Sequence, residues 1–210
     1  MKSQSTYKNE PILLFSTVED LEKHMTSSES KPSAGFWLKI AKIGAPTPTI
    51  SKNDAIEAAL CCGWIDGQLG KFDEHYFLVR MTARRPGSRW SAKNRATAEW
   101  LAQQGRIRPA GQAEIEAAKR DGRWEAAYPP QRTATIPEDL AKALVSNKAA
   151  KRFFETLDRA NRYAILYRVN EAKRPETRVR RIANFVAMLA RGETIHPRKI
   201  ARGAATTAKL

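Results

Sequence analysis

A chain of 210 residues, 42% of them hydrophobic, is long enough for one substantial core or for a compact domain with a smaller one attached, and it needs no metal or disulfide staple to fold. No apolar run approaches the roughly 18 residues that cross a bilayer, so a membrane-spanning class is not expected. The formal net charge is +15 and is unevenly placed: residues 1–79 carry 8 lysines, no arginine and 10 acids, whereas residues 80–210 carry 29 basic residues and 12 acids.

The basic excess therefore begins at Arg80 and is rich in arginine, whose planar fork grips phosphate and carboxylate and stacks on aromatic rings. That pattern points to an anionic small molecule or a polyanion such as nucleic acid as partner, with a merely solvated basic surface as the alternative. Cys61 and Cys62 are adjacent and have no histidine nearby, a spacing that makes neither a disulfide framework nor a zinc site and suits a reducing compartment. A cytoplasmic protein is expected. The first apolar run, Pro11 to Phe15, is too short for a leader, and a periplasmic location would require one ahead of this sequence.

In chain order, residues 1 to 10 read as a disordered lead and Ile12 to Phe15 as a short strand. Ser16 and Thr17 precede an acid-rich helix start from Val18, and the polar stretch from Thr26 to Ser33 reads as a loop. Phe36 to Ala41 is a second strand. Ser51 and Asp54 form a capping-box pair for a helix to about Cys62, with Gly63 as its left-handed cap. Trp64 to Gln68 and Tyr76 to Thr82 suggest an antiparallel strand pair.

Beyond Arg85 the pattern turns helical. Ser91 caps a helix reaching Gln104, and Pro109 opens another that ends at Gly122. Tyr128 to Pro137 is a linker. Helices follow at 137–145, 147–158, 159–173 and 176–191, with Gly192 as the last stop. The expected fold class is α+β: a small mixed α/β domain over residues 10–128, a helical bundle over 137–193, and a basic, flexible tail over 194–210.

Three blocks carry a resemblance: 58–67 with Cys61, Cys62, Gly63, Trp64 and Asp66; 82–94 with Arg84, Arg85, Pro86, Gly87, Trp90 and Asn94; and 122–128 with Arg123, Trp124 and Tyr128. With the later segment 172–182, they make the chain resemble the YdeI/OmpD-associated (bacteriocin-protection) family over roughly residues 10 to 195. Two positions depart from the pattern: Ala83 stands where proline is expected, and Cys62 where an aromatic is commoner. The resemblance implies a bacterial protein linked to protection against bacteriocins or cationic antimicrobial peptides, and brings no defined reaction or cofactor.

Trp64 and Asp66 share one face of a strand, because alternate residues point the same way. Arg80, Arg84, Arg85, Trp90 and Asn94 follow on the next strand, a loop and a helix start, and together these seven form a candidate ligand-binding pocket with an arginine clamp, two indoles and a carboxylate. The alternative is that Asp66 pairs with an arginine to pin strand to loop while Trp64 and Trp90 fill the core. Arg174, Arg178 and Arg181 fall on one helical face and form a candidate nucleic-acid contact, or else a solvated face or an internal partner for Glu171 and Glu176. His24, His75 and His196 lack metal-ligand spacing, no glycine pattern matches a nucleotide loop, and no cofactor or catalytic residue is expected. The leading expectation is a non-enzymatic binding protein in stress or antimicrobial-peptide resistance. An enzyme acting on a small anionic substrate in the pocket, or a nucleic-acid-binding module, are the alternatives.

Overall fold

The computed structural model describes residues 5–27, 35–130 and 132–197, in two compact units, one ending at Tyr128 and the next beginning at Pro129. The class is α+β, as the sequence indicates: a mixed sheet with helices, then a helical unit.

The first unit contains β1 (Thr6–Tyr7), β2 (Glu10–Leu13), α1 (Val18–Thr26), β3 (Phe36–Ala41), α2 (Lys52–Cys61), β4 (Trp64–Lys71), β5 (Tyr76–Ala83), α3 (Ala92–Gln103) and α4 (Pro109–Arg120). The sheet runs β1-β2-β3-β5-β4, antiparallel throughout except for the parallel β2–β3 pair. The residues before Pro11 are not all outside the fold. Lys8 and Asn9 turn at φ 50° and 63°, the left-handed geometry that closes a tight hairpin, and carry Thr6–Tyr7 back along β2. Tyr7 then meets Trp37 edge-on at 4.8 Å, and Glu10 takes a two-pronged contact from the Arg80 guanidinium. Most of the Thr26–Ser33 loop expectation lies outside the described residues.

Strand parity divides the sheet. Phe36, Leu38 and Ile40 of β3 and Val79 and Met81 of β5 face the helices and build the main core with Leu21, Leu60, Trp64 and Leu101. Trp37, Leu78 and Arg80 face the opposite way. Beyond Asp66 the register of β4 shifts before Leu69, a bulge where the sequence shows its glycine break at Gly67.

Local signals account for the helix ends. Thr17 accepts from the Asp20 amide, Ser51 and Asp54 form the reciprocal capping box, and Ser91 accepts from the Asn94 amide. The end of α2 packs unusually close to the start of α4. Gly63 turns at φ +75°, where a Cβ would meet the Ala110 carbonyl oxygen at 2.9 Å; a Cβ on Gly111 would collide with the Cys61 carbonyl oxygen and stand 2.7 Å from that of Leu60.

The second unit comprises α5 (Glu138–Val145), α6 (Lys148–Glu155), α7 (Arg159–Asn170) and α8 (Pro175–Ala190) around Leu140, Phe154, Ile165, Leu166, Val169 and Leu189. Its buried polar residue, Asn161, is fully occupied: the side-chain oxygen accepts from the His196 amide at 2.8 Å, and the amide nitrogen donates to Asp158 and to the His196 carbonyl. Of the tail expected at 194–210, residues 198–210 lie outside the described residues, while His196 is held by that contact.

Two outcomes follow from this packing. Gly111→Ala should cost about 3 kcal/mol in urea unfolding, because a backbone carbonyl cannot move aside as a side chain can; a cost below about 1 kcal/mol would contradict the close approach. Arg80 holds the Glu10 carboxyl below its ordinary value of 4.5, so this pair stabilises the fold above that pH and loses its effect as acid protonates Glu10. Glu10→Gln should cost about 1 kcal/mol at pH 7 and flatten that part of the acid dependence, read by urea melts between pH 7 and pH 3.

Candidate ligand-binding cleft

β5 leaves the sheet at Ala83, and the amide of the next residue, Arg84, donates to the Gly63 carbonyl at 3.0 Å. Just before that turn, the Cys61 carbonyl accepts from the Arg108 amide at 3.0 Å, which brings the start of α4, uncapped by any side chain, alongside. On a third side the Trp64 indole donates to the Met25 carbonyl near the end of α1 at 3.2 Å. These three bonds frame a cleft of about 560 Å³ whose walls include Met25, Cys62, Trp64, Arg84, Ala110 and Glu114. That volume is in the range of small-molecule sites.

Arg84 is the unusual group here, a cation only 7% exposed. Its guanidinium lies 3.6 Å over the Trp90 ring, and Trp90 is braced by Trp124 at a centroid distance of 4.7 Å and a steep interplanar angle. One terminal nitrogen makes a long contact to the Arg89 carbonyl at 3.4 Å; Nε and Nη2 are shielded from solvent and have no hydrogen-bond partner. Burial pulls the Arg84 pKa down to about 10, with the Glu114 carboxylate the first of the charges that oppose it. The side chain is still cationic at neutral pH. Neither Glu114 nor Asp66 comes within ion-pair distance of it.

Of the seven residues expected to share a pocket, only Trp64 and Arg84 line this cleft. Trp64 and Trp90 are both core, at 4% and 1% exposure. Asp66 pairs in register with Met81 and so shares its face, while Arg80 alternates to the other side of the sheet and is engaged with Glu10. The sheet itself thus separates Arg80 from Trp64 and Asp66. Arg85 is exposed in a turn, where its amide donates to the Ser88 hydroxyl; Asn94 sits in the first turn of α3 with its amide on Ser91. Sequence reasoning did not single out Glu114 or Ala110 for the site. The available signal was Pro109, which marks a helix beginning with a cationic residue before it and no capping side chain.

The three blocks behind the sequence resemblance meet in space. Arg123 donates to the Ser88 carbonyl at 2.6 Å, Trp124 packs on Trp90, and Tyr128 exchanges backbone bonds with Trp90 and Ala92. Burial pushes the Cys61 thiol up to about 11 and that of Cys62 to about 12, so both stay protonated at neutral pH.

In the second unit, Arg178 gives its guanidinium to Asp139 and to the Val169 carbonyl, and Arg181 to the Arg168 carbonyl and Glu171. Arg174 stands exposed before α8. Two of the three are therefore occupied tying α8 to α5 and to the end of α7. The described residues contain no cluster of three potential metal ligands and no helix long and apolar enough to cross a membrane.

Residues 133–192 match the model of the family described as bacteriocin-protection, YdeI or OmpD-associated, and residues 13–114 match a domain of unknown function. No curated protein and no solved structure matches the chain. The family expected over residues 10 to 195 is thus matched in the second unit. Of the quoted segments only 172–182 falls inside that match, whereas 58–67 and 82–94 lie in the domain of unknown function.

A desolvated cation on an indole gains about 2 kcal/mol, against several kcal/mol for removing a charge from water. Replacing Arg84 by methionine, which keeps the apolar contact with Trp90, should accordingly leave urea stability unchanged or raise it by about 1–3 kcal/mol. A loss above about 2 kcal/mol would make Arg84 a structural pin instead.

Proposed function

From a chain whose second unit belongs to the bacteriocin-protection, YdeI or OmpD-associated family, we propose a non-enzymatic binding protein of bacterial stress or antimicrobial-peptide resistance that holds an anionic ligand in the Arg84 cleft. The observation that carries this reading is the pair of N–H-bearing nitrogens on Arg84 left without acceptors at the wall of an open cleft. Buried polar groups are almost always satisfied, and an unmet charged donor costs more than a neutral one. An anion supplied from outside removes that cost.

The start of α4 adds to the attraction as the positive end of a helix dipole, with Pro109 and Ala110 in the cleft wall. The two nitrogens are themselves shielded, so the reading requires the guanidinium to shift along the Trp90 face when a ligand binds. A binding role also suits the rest of the wall. Among the described residues of the wall Glu114 is the one carboxylate, and the Cys62 thiol is held in its unreactive form by burial.

Thermal-shift titration tests the reading with small carboxylates, free amino acids, inorganic phosphate and AMP. An anion at a hundred times its Kd should stabilise the protein by about 2.7 kcal/mol. It should also change tryptophan fluorescence through the Trp90 stack, and Arg84→Met should abolish both effects. Absence of any shift across the panel, or a shift that survives Arg84→Met, would overturn the proposal.

A further inference from the structure

The unpaired charges around the cleft limit what kind of anion fits it. Arg108 also lines the cleft, but its guanidinium is taken by Glu22 at 2.8 Å. Among the described residues of the wall that leaves one unpaired cation, Arg84, and one unpaired carboxylate, Glu114, which has no hydrogen bond or ion pair of its own. Glu114 and Arg84 line the same cleft without reaching hydrogen-bond or ion-pair distance, so a gap separates the two charged groups. A phosphate or nucleotide placed on Arg84 would bring several negative charges up to Glu114, and like charges at short range in a half-buried site repel strongly. The rest of the described wall is mostly apolar, formed by Met25, Cys62, Trp64, Ala83 and the start of α4, together with Thr26 and Ser27, whose hydroxyls already donate to the Glu22 and His24 carbonyls.

We infer that the cleft takes a small zwitterion with an apolar body, of the free α-amino acid class, its carboxylate on Arg84 and its ammonium on Glu114. This deepens the anion-binding reading above and rests on it. A single ligand of this kind satisfies both unpaired groups and adds no net charge to the cleft. Its apolar side chain occupies the wall that a bare anion would leave wet. Glu114 is then the specificity determinant: it admits donors and turns away polyanions.

The test compares leucine, methionine and phenylalanine with their N-acetyl and C-amide derivatives, inorganic phosphate and AMP, by calorimetric titration of the full chain. At least one free amino acid should bind, and N-acetylation, which removes the ammonium, should weaken it about tenfold or more. Amidation of the carboxylate should weaken it likewise, and phosphate and AMP should bind more weakly than the amino acid. In Glu114→Gln the penalty for N-acetylation should shrink to about twofold or less, while Arg84→Met should lose binding of every probe. Should N-acetyl amino acids, phosphate or AMP bind the wild type as tightly as the free amino acids, the zwitterion assignment falls and the anion site stands. If no probe binds, both fall. The ligand derivatives make the comparison independent of how either variant folds.

Discussion

The cleft depends on the contact between the end of α2 and the start of α4, where two backbones approach so closely that neither Gly63 nor Gly111 has room for a side chain. This contact sets carbonyls at a helix C-terminus against amides at a helix N-terminus, an arrangement in which the partial charges attract. It also supplies acceptors to two chain crossings: Cys61 takes the Arg108 amide and Gly63 takes the Arg84 amide. The position of Arg84 is therefore fixed by its backbone. Its side chain is left to be held by Trp90, with Trp124 behind it.

A buried arginine whose donors are unmet is a poor choice for stability, since an apolar residue of similar shape would avoid the desolvation cost. Its neighbours make no attempt to neutralise it. Asp66 lies on the core face of β4 and Glu114 on α4, and neither forms an ion pair with it. By contrast Arg80, Arg106, Arg108, Arg123, Arg178 and Arg181 all have carboxylate partners. These six are occupied by carboxylates, whereas Arg84 stands at a cavity without one. The net charge alone does not separate them.

Much of the architecture was legible in the sequence because it is locally encoded. Thr17, Ser51 with Asp54, Ser91 and Pro109 open helices where those residue types should, and Gly63, Gly105 and Gly192 close them. The hairpin of Thr6–Tyr7 on β2 was missed because its turn, Lys8-Asn9, contains no glycine and lies in a polar stretch that resembles a lead. The site was legible only in part. Strand alternation correctly grouped Trp64 with Asp66, but the parity of one strand relative to its neighbour is set by register, which depends on residues far apart in the chain. Glu114 carries no local pattern, and only the packing of α4 brings it to the cleft.

Asn161 has a practical corollary for the second unit. The family match stops at residue 192, two positions after the end of α8, yet both hydrogen bonds that satisfy the buried Asn161 from outside its own helix turn come from His196, and Ile195 packs on the same core. The packed unit is therefore longer than its homology boundary. A fragment cut at 192 would leave the Asn161 side-chain oxygen inside the bundle without its donor and its amide nitrogen with Asp158 alone, so the extent of the packed unit is set by a side chain in α7, several residues past the last helix.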